Sequence, residues 1–183
     1  MASDKLFQQK VRAWHEDCVV SKKQYDWAAM GGTFDRLHKG HKTLLRRAFE
    51  LGEKVLIGLT TPEMVKHKPD WEKIASYEER EAELEKWLDS EGYIGRYIIR
   101  PLHDAYGPSI TMPELQLIVV SEETCPVAKE INEIRRDNGL PLLHIAVLTM
   151  VKAEDQISIS STRIRAGLID RDGRVIYREV ATT

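Results

Sequence analysis

The chain is poor in several things that would mark other classes of protein. It has two cysteines, Cys18 and Cys125, which make no disulfide scaffold, and it contains no C-x-x-C spacing of the kind that holds zinc. It has no excess of positive charge: 27 Lys and Arg stand against 29 Asp and Glu, a formal net charge of -2. A protein that grips nucleic acid non-specifically is usually strongly basic, so no nucleic-acid partner is expected. No apolar run approaches the roughly 20 residues that a membrane helix needs. The opening stretch MASDKLFQQKVRAWHEDC is charged throughout and lacks the apolar core of a secretion signal. A cytoplasmic location with no membrane contact is therefore the expectation.

What is there suits a single soluble domain: 183 residues, 42% hydrophobic and 31% charged. Residues 1–24 are polar, and Leu6, Phe7, Val11 and Trp14 allow one short docked helix; residues 25–183 read as the domain proper. From Tyr25 onward, apolar runs alternate with amphipathic ones. YDWAAM (Tyr25–Met30) reads as a buried strand ending in Gly31-Gly32. GHKTLLRRAFELG reads as a helix with Leu44, Leu45, Ala48, Phe49 and Leu51 on one face, and KVLIGLT (Lys54–Thr60) as a second strand. Strand, helix and strand in so short a span predict a right-handed βαβ unit. Further on, Ser76 and Glu79 form a capping box ahead of a second helix. Strands are predicted at Arg96–Leu102, Leu115–Ser121 and Leu143–Val151. A helix runs from Cys125, with Pro126 near its start and Gly139 after its end, and ISSTRIRAG (Ile159–Gly167) opens a last short one. The alternation predicts an α/β fold, a Rossmann-like, doubly wound parallel sheet.

In such sheets ligands sit beyond the carboxyl ends of the strands. The stretch GGTFDRLHKGHKTLL, from Gly31 to Leu45, lies there, between the first strand and the first helix. Glycines let the backbone turn and approach a ligand, and the start of a helix offers free N–H groups to an anion. His38 and His41, at i and i+3, can share one side of the first helical turn, and Thr33 adds a hydroxyl. The corner is built from hydrogen-bond donors, which suits a polyphosphate. The histidine pair has no third ligand at a recognisable metal spacing.

GTFDRLHKGH resembles the first signature of the nucleotidylyltransferase superfamily, and ISSTRIR (Ile159–Arg165) resembles its second. Within that superfamily GGTFDRLHKGHKTLL, DAYGP (Asp104–Pro108), IVVSEET (Ile118–Thr124) and INEIRR (Ile131–Arg136) are similar to the archaeal and eukaryotic type of phosphopantetheine adenylyltransferase, over roughly residues 25–169. The resemblance implies the nucleotidylyltransferase form of the Rossmann-like fold. It implies transfer of AMP from ATP to 4′-phosphopantetheine, giving dephospho-CoA and pyrophosphate, with a Mg²⁺ ion held mainly by the ATP phosphates. It also implies a monomer whose partners are those two small molecules.

By the same resemblance His38, His41 and Thr33 are the catalytic candidates: His38 at the α-phosphate, His41 at the β- and γ-phosphates with help from the helix N-terminus, and Thr33 orienting the acceptor. Gly32, Thr33 and Phe34 would meet ATP through their N–H groups, and Ser160, Ser161 and Thr162 through hydroxyls and N–H groups. Arg163 and Arg165 are both available as phosphate clamps. Lys66 or Lys68, with Lys68 slightly favoured, would hold the acceptor phosphate, and Asp104 and Tyr106, with Pro108, would line its pantetheine arm. Arg135 and Arg136 are open between serving ATP and completing a basic last helical turn. Two other readings stand beside this one. The first is a sister enzyme, either a cytidylyltransferase for a phosphorylated alcohol or a nicotinamide mononucleotide adenylyltransferase. The second is a nucleotide-binding module without catalysis.

Overall fold

The structure is a computed structural model, and it describes residues 23–176. The docked helix expected within residues 1–24 falls almost wholly outside that range. The chain forms β1 (Tyr25–Gly32), α1 (Lys39–Leu51), β2 (Gly52–Thr60) and a short α2 (Pro62–Val65). It continues with α3 (Tyr77–Ser90), β3 (Tyr97–Leu102), β4 (Leu117–Ser121), α4 (Cys125–Asp137), β5 (His144–Leu148) and α5 (Ser161–Arg165). All strand pairs are parallel, and the order across the sheet is β3-β2-β1-β4-β5. This is the expected doubly wound α/β arrangement.

The period-2 geometry of a strand sorts the apolar residues to two faces. Ala28 and Met30 of β1, Val55, Ile57 and Leu59 of β2, and Leu117 and Val119 of β4 all enter one core. There they meet Leu45, Ala48 and Phe49 of α1 and Leu84 and Leu88 of α3. The alternate residues Ala29, Leu56, Ile118 and Val120 enter the opposite core, against Ala128 and Ile131 of α4. Both faces are thus covered, which is why the strands read as continuous apolar runs. Each of the buried Val, Leu, Ile, Met and Phe side chains among them contributes on the order of 1.5–3 kcal/mol from burial, and each alanine less.

Two boundaries differ from the expectation in ways that matter for function. Gly52 is both the C-cap of α1 and the first residue of β2, so helix and strand join without a loop. The last strand ends at Leu148 rather than Val151, because its partner β4 ends at Ser121. Residues 149–151, freed from the ladder, turn to line the main cleft. Gly58 has a close-approach reason: a Cβ there would lie 2.7 Å from the side chain of Leu102.

Candidate active site

The sheet order reverses between β1 and β4, which is where an open parallel sheet leaves a crevice at its carboxyl edge. Two clefts open there. The larger, about 360 Å³, is walled by Gly32–Asp35, the start of α1, the end of β4, residues 148–151 and Ser160–Thr162. The smaller, about 220 Å³, is more apolar and lies toward β2, with Leu102, Tyr106 and Pro108 on one side and Val127, Ala128 and Ile131 of α4 on the other. Both clefts are bordered by Gly31, Gly32, Thr33, Lys68 and Thr124, so they meet at the end of β1.

The two sequence signatures are physically joined. Asp35 is 1% exposed. Its Oδ2 accepts from Arg165 Nη1 at 2.6 Å, its Oδ1 accepts from the Ala75 N–H at 3.1 Å, and its carbonyl accepts from Ser161 Oγ at 2.7 Å. Arg165 is the inward-turning arginine of the second signature. Arg163 is not: it pairs with Asp155 and donates to the carbonyls of Ile157 and Ser158, away from both clefts. Ser161 spends its hydroxyl proton on Asp35, so toward a phosphate it keeps only its N–H. The hydroxyls of Ser160 and Thr162 accept, from the Arg163 N–H and from Arg165, which leaves both O–H protons free to donate.

His38 is the N-cap of α1, and its Nδ1 accepts from the His41 N–H at 3.4 Å. Burial is the main reason its pKa is lowered to about 4, against the opposing pull of Asp35; Arg171 and Lys42 lower it further. A neutral imidazole that accepts at Nδ1 carries its proton on Nε2, so the cap fixes His38 as a donor through Nε2. His41 stacks on it with ring centroids 3.7 Å apart. Burial first, then His38 and Lys68, hold His41 well below the ordinary range. Its Nδ1 is buried with no partner among the described residues. Gly40 between them has a steric reason, since a Cβ there would sit 3.1 Å from the His38 ring. The N-terminus of α1 is less free than its sequence suggests: the Lys39 N–H is taken by the carbonyl of Arg171, and the His41 N–H by His38. Those internal caps leave fewer N–H groups free at this end of the helix.

At the junction of the clefts Thr33 Oγ1 accepts from Lys68 Nζ at 2.7 Å and from Thr60 Oγ1 at 3.2 Å. Desolvation is the first cause of the lowered Lys68 pKa, followed by the nearby Arg80 and Arg165, with Asp35 opposing. Lys66 lines neither cleft. Asp104 accepts from the N–H groups of Tyr106 and Gly107, so its carboxylate folds the turn that walls the smaller cleft. Tyr106 lines that cleft and donates from its hydroxyl to Glu130 of α4.

Arg135 lines neither cleft. It is fully buried and donates to the carbonyls of Ser109, Met112, Leu115 and Pro141. Arg136 is exposed and pairs with Asp137. Sequence reasoning also passed over Asp35 and Arg80. For Arg80 a signal existed: it is the lone cation at the start of the acidic helix YEEREAELE, where the helix dipole disfavours positive charge. Among the described residues no group of three His, Cys, Asp or Glu is placed to hold a metal ion.

The parallel sheet, with its switch point and two linked corners, has the Rossmann-like nucleotidylyltransferase fold. The chain belongs to the cytidylyltransferase-like family, whose model matches residues 29–167. Over 156 residues it is 47% identical to the phosphopantetheine adenylyltransferase of Thermococcus kodakarensis, covering 85% of this chain and 94% of that one. The phosphopantetheine adenylyltransferase of Pyrococcus furiosus is 48% identical over 158 residues, covering 86% of this chain and 98% of the relative. Among solved structures, a protein of unknown function from Archaeoglobus fulgidus superposes with a TM-score of 0.61 at 25% identity, over 73% of this chain and 98% of that one. No helix among the described residues is long and apolar enough to cross a membrane.

Proposed function

We infer that the protein is a phosphopantetheine adenylyltransferase, which transfers AMP from ATP to 4′-phosphopantetheine and releases pyrophosphate. The observation that carries the reading is the junction. The larger cleft meets the smaller, more apolar one at Thr33 and Lys68, so a nucleotide and a phosphorylated arm entering from opposite sides would bring their phosphates together there. The names of relatives more than 45% identical support the same acceptor and nucleotide.

An acceptor phosphate is ionised at neutral pH, so no strong general base is required. One of its oxygens forms the new bond to the α-phosphorus, and the bond from that phosphorus to the bridging oxygen of the β-phosphate breaks. The work left to the protein is positioning and charge stabilisation. The His38 Nε2–H donates to the α-phosphate as charge builds there. His41 and the free donors of Ser160 and Thr162 hold the β- and γ-phosphates, and Arg165 adds its charge. Lys68 and Thr33 take the acceptor phosphate, and the groove from Leu102 to Pro108 takes the arm. Gly32, Thr33 and Phe34 approach the nucleotide through the main chain.

With no carboxylate cluster of its own in the described residues, the cleft fits a Mg²⁺ ion that arrives on the nucleotide's phosphates and offsets their charge. The test is pyrophosphate release with each acceptor and each nucleotide. Turnover with ATP and phosphopantetheine is expected, and activity with CTP alone would overturn the reading. His38→Ala should bind ATP within several-fold of wild type and lower kcat by ~10²–10³, the cost of losing one transition-state donor. An unchanged kcat would remove His38 from that role.

A further inference from the structure

The connection from β2 to α3 carries Lys68 across the front of the site, and one buried side chain fastens it. Arg80, 1% exposed, sits in the first turns of α3. Its Nη2 donates to the carbonyl of Thr60, at one end of the connection, at 2.9 Å. Its Nε donates to the carbonyl of Ala75, at the other end, at 3.0 Å. Its Nη1 donates to the carbonyl of Thr33 at 2.8 Å. One planar guanidinium therefore closes residues 61–74 at both ends and ties that closure to Thr33, whose hydroxyl meets Lys68.

We propose that Arg80 is the positioning residue of the acceptor-phosphate site: it acts through Thr33 and Lys68, setting their separation before either meets ligand. The proposal rests on the function inferred above. Three observations support it. Every one of these hydrogen bonds goes to a main-chain carbonyl, not to a carboxylate, so the positive charge is not cancelled by contact; Asp35 exerts the strongest opposing pull among the charges around it. The three carbonyls come from three separate segments, and only a forked donor can reach them together; a lysine offers a single point. The helix carrying Arg80 is itself fixed by the Ser76–Glu79 capping box, with both reciprocal bonds formed. The Ser76 end of the chain Ser76, Arg80, Thr33, Lys68 is thus anchored before substrate arrives.

The experiment is steady-state kinetics on Arg80→Lys, with both substrates varied, beside ATP binding and thermal unfolding. Wild type must first turn over with ATP and phosphopantetheine; if it does not, the functional reading has failed rather than this one. With wild type active, Arg80→Lys should raise the acceptor KM ~10-fold and lower kcat/KM for the acceptor ~10²-fold, the usual cost of a reacting group misplaced by about an ångström, while ATP affinity stays within ~3-fold. In a Lys68→Ala background the same substitution should cost less than half as many decades, because the partner it positions is gone. Ser76→Ala, which loosens only the helix cap, should raise the acceptor KM by ~2–3-fold through the same route and keeps the test open if Arg80→Lys does not fold. Acceptor constants unchanged in a folded variant, ATP and acceptor constants rising together, or full additivity with Lys68→Ala would each overturn the proposal.

Discussion

Replacing Asp35 by Asn should weaken the free protein and make its stability depend more on ATP. The substitution keeps an oxygen for the Ala75 N–H but removes the charge that faces Arg165. That pair is closed, at 2.6 Å with side chains 6% and 1% exposed. Breaking a buried pair from one side leaves an unpaired charge and costs ~3–5 kcal/mol. Arg165 borders the cleft and keeps its bond to Thr162, so the lower end of that range, ~3 kcal/mol, is the appropriate figure. For a domain of this size each kcal/mol moves Tm by roughly 2–4 °C, so the variant should melt ~6–12 °C below wild type. ATP reverses part of this loss, since its phosphates give Arg165 an anion again. The rise in Tm at saturating ATP should therefore be larger for the variant than for wild type. Thermal unfolding by circular dichroism, with and without ATP, reads both quantities. A variant that melts within ~2 °C of wild type would show that the pair does not join the two signatures energetically. An equal ATP shift would show that Arg165 does not meet the phosphates.

Two further outcomes follow from buried polar groups. His38 titrates at about 4 in the folded protein and at an ordinary 6.5 when unfolded. Its contribution is complete above pH 6.5 and falls away as pH drops toward 4, by ~3 kcal/mol, with His41 adding in the same direction. Urea unfolding at pH 7 and pH 4.5 should show wild type losing more stability than His38→Asn, which keeps a capping oxygen but no titrating ring; equal losses would refute this. Arg135→Met takes the donor from four carbonyls, those of Ser109 and Leu115 fully buried, and should cost ~3 kcal/mol, while Arg136→Met, on the exposed side, should stay within ~0.5 kcal/mol. Equal shifts of the urea midpoint in the two variants would refute a stabilising role for the buried Arg135 bonds.

The apolar runs and the two signatures made the fold and both corners of the site legible, because strand periodicity and motif spacing are local properties. Whether Arg163 or Arg165 turns inward was not legible. Both lie on one short helix, and the choice is made by Asp155 and Asp35, which are far from each other in the chain. Lys66 and Lys68 could not be separated for a similar reason: the decision belongs to the path of the β2–α3 connection and to the Thr33 hydroxyl. The start of α1 looked open to an anion because nothing nearby shows that the Arg171 carbonyl folds back onto Lys39. Arg135 looked like a surface residue of a last helical turn. Only the fold reveals that Ser109, Met112, Leu115 and Pro141 bring their carbonyls to it.

The central claim is best tested by a crystal structure of the protein with a non-hydrolysable ATP analogue and 4′-phosphopantetheine bound together. The account predicts a single triphosphate touching both His41 and the Ser160–Thr162 turn. It predicts the acceptor phosphate against Lys68 and Thr33, in line with the bond that breaks at the α-phosphorus. A nucleotide held by only one of the two corners, or an acceptor phosphate lodged away from Lys68 and Thr33, would contradict it.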